Sequence, residues 1–165
     1  MSVLVDFYED LDVGARFELG ACSFDAEFIK TYAEKYDPQP FHTSEEAARE
    51  SHFGKLCASG WQTAGMWMRC YADFNMAERA RRGAKGVAIA DIGISPGMVD
   101  LRWPKPVYMG DTISYTQEIL DKREMNSQPG WGMLTALCQG HNQNGELVLS
   151  FTSSTIVQMR GGSIV

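Results

Sequence analysis

The sequence predicts an α+β fold in which an antiparallel β-sheet curls around one long apolar helix. Two observations carry this expectation. Residues 60–82 read GWQTAGMWMRCYADFNMAERARR and are apolar almost all round through Phe74. A helix without a polar face must be wrapped by other structure. Beyond residue 98 the pattern changes to period two, in segments near 98–103, 112–123, 131–142 and 146–159. Long strands joined by short turns form antiparallel sheets, and one apolar helix ahead of them supplies the second layer.

The elements follow in order. Residues 15–24 alternate loosely and read as a strand. Asp25 can cap a helix from about 26 to 36, with Phe28, Ile29, Tyr32, Ala33 and Tyr36 on one face. Pro38 and Pro40 stop it and push Asp37 and Gln39 into extended backbone. Ser44 opens a short helix whose first turn holds Glu45 and Glu46, where the helix dipole favours anions. Small residues at Ala58, Ser59, Gly60, Ala64 and Gly65 allow close approach at the start of the central helix. Its charged end, Glu78 to Gly83, should emerge into solvent. In the sheet, Ile113, Tyr115, Gln117 and Ile119 alternate with Thr112, Ser114, Thr116 and Glu118. Asn142-Gln143-Asn144-Gly145 is a hairpin turn signal between the last two strands.

Composition bounds the function. The 165 residues suit a single domain, 1–165, long enough to bury a core. A net charge of −6 lacks the basic footprint of a nucleic-acid binder and the polybasic patch that holds a protein on an anionic membrane. No window approaches the ~20 apolar residues of a membrane span. The first residues lack a secretory signal pattern, which sets the expected location in the cytoplasm. Cys22, Cys57, Cys70 and Cys138 form no CxxC, and none lies beside a histidine at ligand spacing. They read as four reduced, mostly buried thiols, and no structural zinc site is expected.

The densest cluster of unusual residues is Tyr36-Asp37-Pro38-Gln39-Pro40-Phe41-His42. Two prolines fix two φ angles, so this segment is stiff. A stiff segment with a carboxylate and an imidazole is suited to aiming both at one water, as general acid–base catalysis needs. Asp before Pro and a histidine in a loop are also ordinary turn furniture. The second candidate is Ser59-Gly60 at the start of the apolar helix. Unpaired N–H groups there can stabilise an oxyanion, and glycine lets a ligand carbonyl approach. The plainer alternative is a helix cap.

The stretch Asp37-Pro38-Gln39-Pro40-Phe41-His42, followed eighteen residues later by Ser59-Gly60, resembles the MaoC-like dehydratase family, which includes the (R)-specific enoyl-CoA hydratases. The family motif, Asp-x-Asn-Pro-x-His, is matched at Asp37, Pro40 and His42, while Gln39 stands where the family has Asn. The resemblance continues through Phe53-Gly54, Ala58-Ser59-Gly60, Ser95-Pro96-Gly97, Leu101-Arg102-Trp103 and Gly110-Asp111-Thr112. It covers roughly residues 7–158. It implies the hotdog fold and reversible hydration of a trans-2-enoyl-CoA to an (R)-3-hydroxyacyl-CoA.

Carried over, Asp37 and His42 hold and activate water, one accepting its proton and the other protonating C2. The Gly60 N–H stabilises the enolate-like thioester oxygen. Gln39, Ser59, Ser95 and Gly97 are implied to contact substrate. No metal or redox cofactor is implied, coenzyme A entering only as part of the acyl-CoA substrate. The implied assembly is a homodimer or a set of dimers. Gln39, one methylene longer than Asn, is expected to alter substrate preference more than to abolish activity.

Other polar residues have plainer readings. His52 and His141 suit the surface, Arg69 and Asp73 suit a helix pair, and Asp111 suits a turn. Arg102, Lys105 and Arg123 could meet the phosphates of coenzyme A or simply lie on the surface. A hotdog thioesterase is the nearest enzyme alternative. Its carboxylate would come from the central helix, where only Asp73 is on offer, more than three turns from Gly60. A non-catalytic acyl-binding or assembly module is the alternative from another class, and the paired Asp37 and His42 argue against it.

Overall fold

A computed structural model describes residues 4–162. After a single 3-10 turn at Tyr8–Asp10 come β1 (Arg16–Ser23), α1 (Ala26–Tyr36), α2 (Pro40–Thr43), α3 (Glu45–Glu50), α4 (Gly60–Gly83), β2 (Gly97–Arg102), β3 (Thr112–Glu124), β4 (Trp131–His141) and β5 (Leu147–Gln158). The strands form one sheet in the order β1-β3-β4-β5-β2, with every neighbouring pair antiparallel. This is the expected arrangement of a sheet curled around a long helix, the hotdog fold.

Local chemistry sets the element ends. Asp25 caps α1, its Oδ1 accepting from the Phe28 N–H at 2.8 Å. Ser44 caps α3 through the Ala47 N–H. At the β4–β5 turn, Asn142 Oδ1 accepts from the N–H groups of Asn144 and Glu146. Gly145 there has φ +77°, a left-handed conformation that glycine adopts without strain.

Polar pins orient α4 on the sheet. The Tyr115 hydroxyl donates to the Thr63 carbonyl at 3.0 Å, and Trp67 Nε1–H donates to the Thr116 carbonyl at 3.0 Å. Gln62 Nε2 donates to the Phe28 carbonyl at 3.0 Å, tying α1 to the start of α4. Around these pins lie Leu11, Phe24, Ile113, Tyr115, Ile119 and Leu149, all fully buried. Trp67 packs edge-on to Phe151 and stacks on Tyr71. An aromatic pair of this kind adds ~1 kcal/mol beyond its area burial.

Three expectations need correction. The chain does not wrap α4 completely: Trp67 and Cys70 are buried, but Trp61, Met68 and Met76 are exposed. The sheet covers one face of a helix and leaves its opposite face open. The charged end of α4 does not all enter solvent. Arg82 pairs with the buried Asp6, and Arg79 donates to the Ala90 carbonyl, so the segment before β2 folds back over the helix end. Tyr36, on the same face of α1 as Ile29 and Ala33 by spacing, is exposed at the helix end.

Candidate active site

The Asp37–His42 segment is built as a hinge between two helices. α1 ends where the Asp37 N–H bonds to the Ala33 carbonyl at 2.9 Å. Pro38 cannot continue it, and the Gln39 N–H turns back to the Asp37 carbonyl at 2.8 Å. Pro40 then occupies the first position of α2, where its missing N–H costs nothing. The sequence suggests a stiff loop through His42; residues 40–43 instead make one helical turn. That turn delivers His42 inward, where it is 6% exposed.

His42 is oriented from behind. Its Nδ1 lies 2.7 Å from the Cys57 carbonyl oxygen. A carbonyl only accepts, so Nδ1 carries the proton and Nε2 faces the cavity. Phe41 packs edge-on to the imidazole, with ring centroids 4.6 Å apart. Across the cavity, Asp37 Oδ2 stands 3.6 Å from His42 Nε2. Its other oxygen, Oδ1, accepts from Gln39 Nε2 at 2.8 Å. Burial acts to raise the Asp37 pKa. Hydrogen bonds from Ser59 and Gln39, with the charge of His42, outweigh it and hold the carboxyl below its usual range.

The start of α4 completes the site. The Ala58 N–H bonds to the Val107 carbonyl at 2.8 Å, and Cys57 bridges to Tyr108, so residues 57–58 run strand-like into the helix. Ser59 is fully buried and its Oγ accepts from the Trp61 N–H, which makes it a helix cap and a donor to Asp37 at once. Ser59, expected to contact substrate, thus lies against the carboxylate and lines the same cavity. Trp103 lies flat on Gly60: a Cβ at that position would sit 2.7 Å from the indole. Its Nε1–H donates to the Gly60 carbonyl at 2.8 Å. Asp37, Gln39, His42, Ser59, Gly60 and Trp103 line one cavity of about 370 Å³.

Ser95 and Gly97 lie elsewhere. Ser95 lines an adjoining cavity of about 500 Å³ and donates to the Ser154 carbonyl at 2.6 Å. Gly97 begins β2, paired with Ser154, and lines neither cavity. Trp61 lines both cavities and meets Trp103 edge-on at 5.3 Å. Sequence reasoning passed over Trp103 and the Cys57 carbonyl. The signal available for Trp103 was a tryptophan ahead of Pro104 at a strand end; a backbone acceptor leaves no signal in side-chain identity.

The remaining polar residues take structural positions. Arg69 Nε pairs with Asp73 Oδ2 at 2.7 Å, and Asp73 lies thirteen residues beyond Gly60, ~20 Å along the helix. Asp111 accepts from the Tyr108 N–H and from Gln143 Nε2, as a turn residue does. Lys105 lines the Asp37 cavity but pairs with Glu146 at 2.5 Å. His52 is exposed and packs against Phe53 with its ring tilted by 39°. All four cysteines are free, with Cys22 half-buried and the others buried. Among the described residues no group of three His, Cys, Asp or Glu side chains could hold a metal, and no helix is long and apolar enough to cross a membrane.

Residues 13–132 match the model of the MaoC like domain, and the chain belongs to that family. The solved MaoC-like dehydratase from Rhodospirillum rubrum is 35% identical and superposes with a TM-score of 0.77, over 93% of this chain and 97% of that one. Protein YdeM of Bacillus subtilis (strain 168) is 25% identical over 150 residues, 91% of this chain and 97% of that protein. A mesaconyl-CoA hydratase of Cereibacter sphaeroides is 36% identical over 73 residues, 44% of this chain and 20% of the relative.

Proposed function

We propose that the protein is an enoyl-CoA hydratase, acting reversibly as a 3-hydroxyacyl-CoA dehydratase and forming the (R)-3-hydroxy product. One observation carries the reading: Asp37 Oδ2 and His42 Nε2 face each other at 3.6 Å in a cavity that also holds the Gly60 end of α4. Membership of a dehydratase family and the partial likeness to a mesaconyl-CoA hydratase support it.

In the hydration direction, one water bonds to both groups from the cavity side. His42 Nε2, whose lone pair faces the cavity because Nδ1 carries the ring proton, accepts the water's proton as the oxygen adds to C3. The ionised Asp37 carboxylate holds the same water and stabilises the imidazolium so formed. The imidazolium then returns the proton to C2, and both groups end as they began. The Gly60 N–H has no acceptor among the described residues and meets the thioester oxygen, where negative charge develops. The only coenzyme chemistry required is the coenzyme A carried by the substrate, and such chemistry belongs in the cytoplasm.

The working unit is a homodimer or a higher set of dimers. β2 is an edge strand, and Val99 on it and Ile94 just before it are exposed. Apolar side chains in this position mark a contact surface.

Hydration of crotonyl-CoA, followed by loss of the conjugated-thioester absorbance with chiral analysis of the product, tests the reading. Turnover to the (R) product that disappears in both Asp37→Asn and His42→Ala is the expected result. Turnover that survives either substitution would overturn the acid–base assignment.

A further inference from the structure

Trp103 lines the acid–base cavity but takes no part in the proton transfers. It follows the last residue of β2 and precedes a stiff stretch, in which Pro104 and Pro106 fix two φ angles. Residues 103–109 grip residues 53–60, the segment that leads into α4. The Tyr108 hydroxyl donates to the Phe53 carbonyl at 3.1 Å, and the Met109 N–H to the Leu56 carbonyl at 3.0 Å. The Ala58 N–H donates in return to the Val107 carbonyl at 2.8 Å. The grip ends where Trp103 Nε1–H donates to the Gly60 carbonyl at 2.8 Å.

Gly60 is the residue on this segment that most needs holding. Glycine has the widest backbone freedom, and the first turn of a helix leaves its N–H groups without intrahelical partners. On one side of Gly60, Ser59 is fixed as a cap by the Trp61 N–H. On the other side the indole occupies the space that a Cβ would take and binds the carbonyl. Glycine at position 60 is thus required by the indole packed on it. With both flanks held, the Gly60 N–H keeps one direction.

We infer that Trp103 is a positioning residue, which through its bond to the Gly60 carbonyl holds the Gly60 N–H on the negative charge that develops at the thioester oxygen. The inference rests on the hydratase reading for the role of that N–H. A donor aimed before the reaction stabilises such charge without reorganising, and one free to swing does not. Since the indole N–H bonds to neither Asp37 nor His42, its loss should affect charge stabilisation and leave proton transfer in place.

Two variants separate the N–H from the ring. Trp103→Phe keeps an aromatic ring over Gly60 and removes the donor. Trp103→Leu removes both. Trp103 is 39% exposed, so neither change empties the core. The experiment measures kcat and KM for crotonyl-CoA across pH in the wild type and both variants. It also measures the affinity of each protein for butyryl-CoA, a neutral thioester, and for acetoacetyl-CoA, an acidic thioester whose enolate carries negative charge on oxygen and has its own ultraviolet band.

Expected in both variants is a kcat about tenfold lower, with KM within twofold and the limbs of the kcat–pH profile in place. Affinity for acetoacetyl-CoA falls about tenfold and its enolate band weakens, while affinity for butyryl-CoA stays within twofold. An unchanged kcat in Trp103→Phe, a loss confined to Trp103→Leu, or a displaced pH limb would overturn the inference. So would an equal loss of affinity for the two saturated thioesters, which would make Trp103 a cavity wall. If the wild type hydrates no enoyl thioester but acetoacetyl-CoA alone loses affinity in both variants, the hydratase reading fails and the positioning role stands. Wild-type binding of acetoacetyl-CoA no tighter than that of butyryl-CoA, or of neither, removes the positioning role.

Discussion

The Cys57 carbonyl oxygen lies 2.7 Å from Nδ1 of His42, and this bond selects the imidazole nitrogen that faces the cavity. A backbone acceptor cannot rotate away as a side chain can. The orientation of His42 is therefore held by the strand-like entry into α4, where Cys57 bridges to Tyr108. The same short segment that fixes the imidazole also places Gly60.

With both groups fixed, neither should substitute for the other. His42→Ala and Asp37→Asn are each expected to lower kcat for crotonyl-CoA by about 10²–10⁴-fold. The double variant should lose little beyond the worse single one, because the two groups act on one water. Stopped-flow or steady-state kinetics on the three variants measure this, and full additivity would argue for independent roles.

The acid limb of the pH–rate profile should move upward in Gln39→Leu. Against the effect of burial, Ser59 and Gln39 hydrogen bonds keep Asp37 ionised below the usual carboxylate range. Removing the Gln39 amide, 2.8 Å from Oδ1, raises the carboxyl pKa, so protonation begins at higher pH. The stability linked to the depressed pKa is present above the unfolded-state value and lost as pH falls through the folded one. Acid unfolding of Gln39→Leu should therefore begin at higher pH. A kcat–pH series and an acid titration by circular dichroism give the two readings.

Gly60→Ala should destabilise the fold by about 1–3 kcal/mol, because its methyl group would lie 2.7 Å from the Trp103 indole. The cost should shrink when Trp103→Ala is added, and urea denaturation of the four proteins in the cycle measures the coupling. Activity that stays low in the double variant would separate the approach of substrate to Gly60 from the clash with Trp103.

Trp67→Ala should cost about 3–5 kcal/mol of stability, the range for emptying a buried aromatic site. Trp67 is buried against Tyr71 and Phe151 and also donates to the Thr116 carbonyl. Trp67→Phe, which keeps most of the packing but strands that carbonyl, should cost less. Thermal and chemical denaturation of both variants provides the comparison.

The fold was legible because its two periodicities are strong. The strands begin and end within two residues of the alternating segments, and Asp25, Ser44 and Ser59 cap the helices that follow them. The exposed side of α4 was not legible, since a helix apolar all round does not declare which face its own chain covers. Asp37, His42 and Gly60 stood out because prolines and a capping serine mark their positions. Their supports were hidden for different reasons. The Cys57 acceptor is backbone, Trp103 comes from forty-three residues further along the chain, and Ser95 belongs to a stretch that carries the resemblance but lines the cavity across Trp61 from the carboxylate.

The strand order β1-β3-β4-β5-β2 has a consequence for how the chain is made. The two strands that come first in sequence occupy the two edges, and their partners, β3 and β5, are both later in the chain. During synthesis α4 leaves the ribosome well before the sheet that covers it. Its apolar face must wait for the β3–β4–β5 meander, whose neighbours are local in sequence and can pair quickly. Until then Trp67, Cys70 and the rest of the face that the sheet covers are surface for chaperones to bind, and slow translation through residues 84–111 would lengthen that interval.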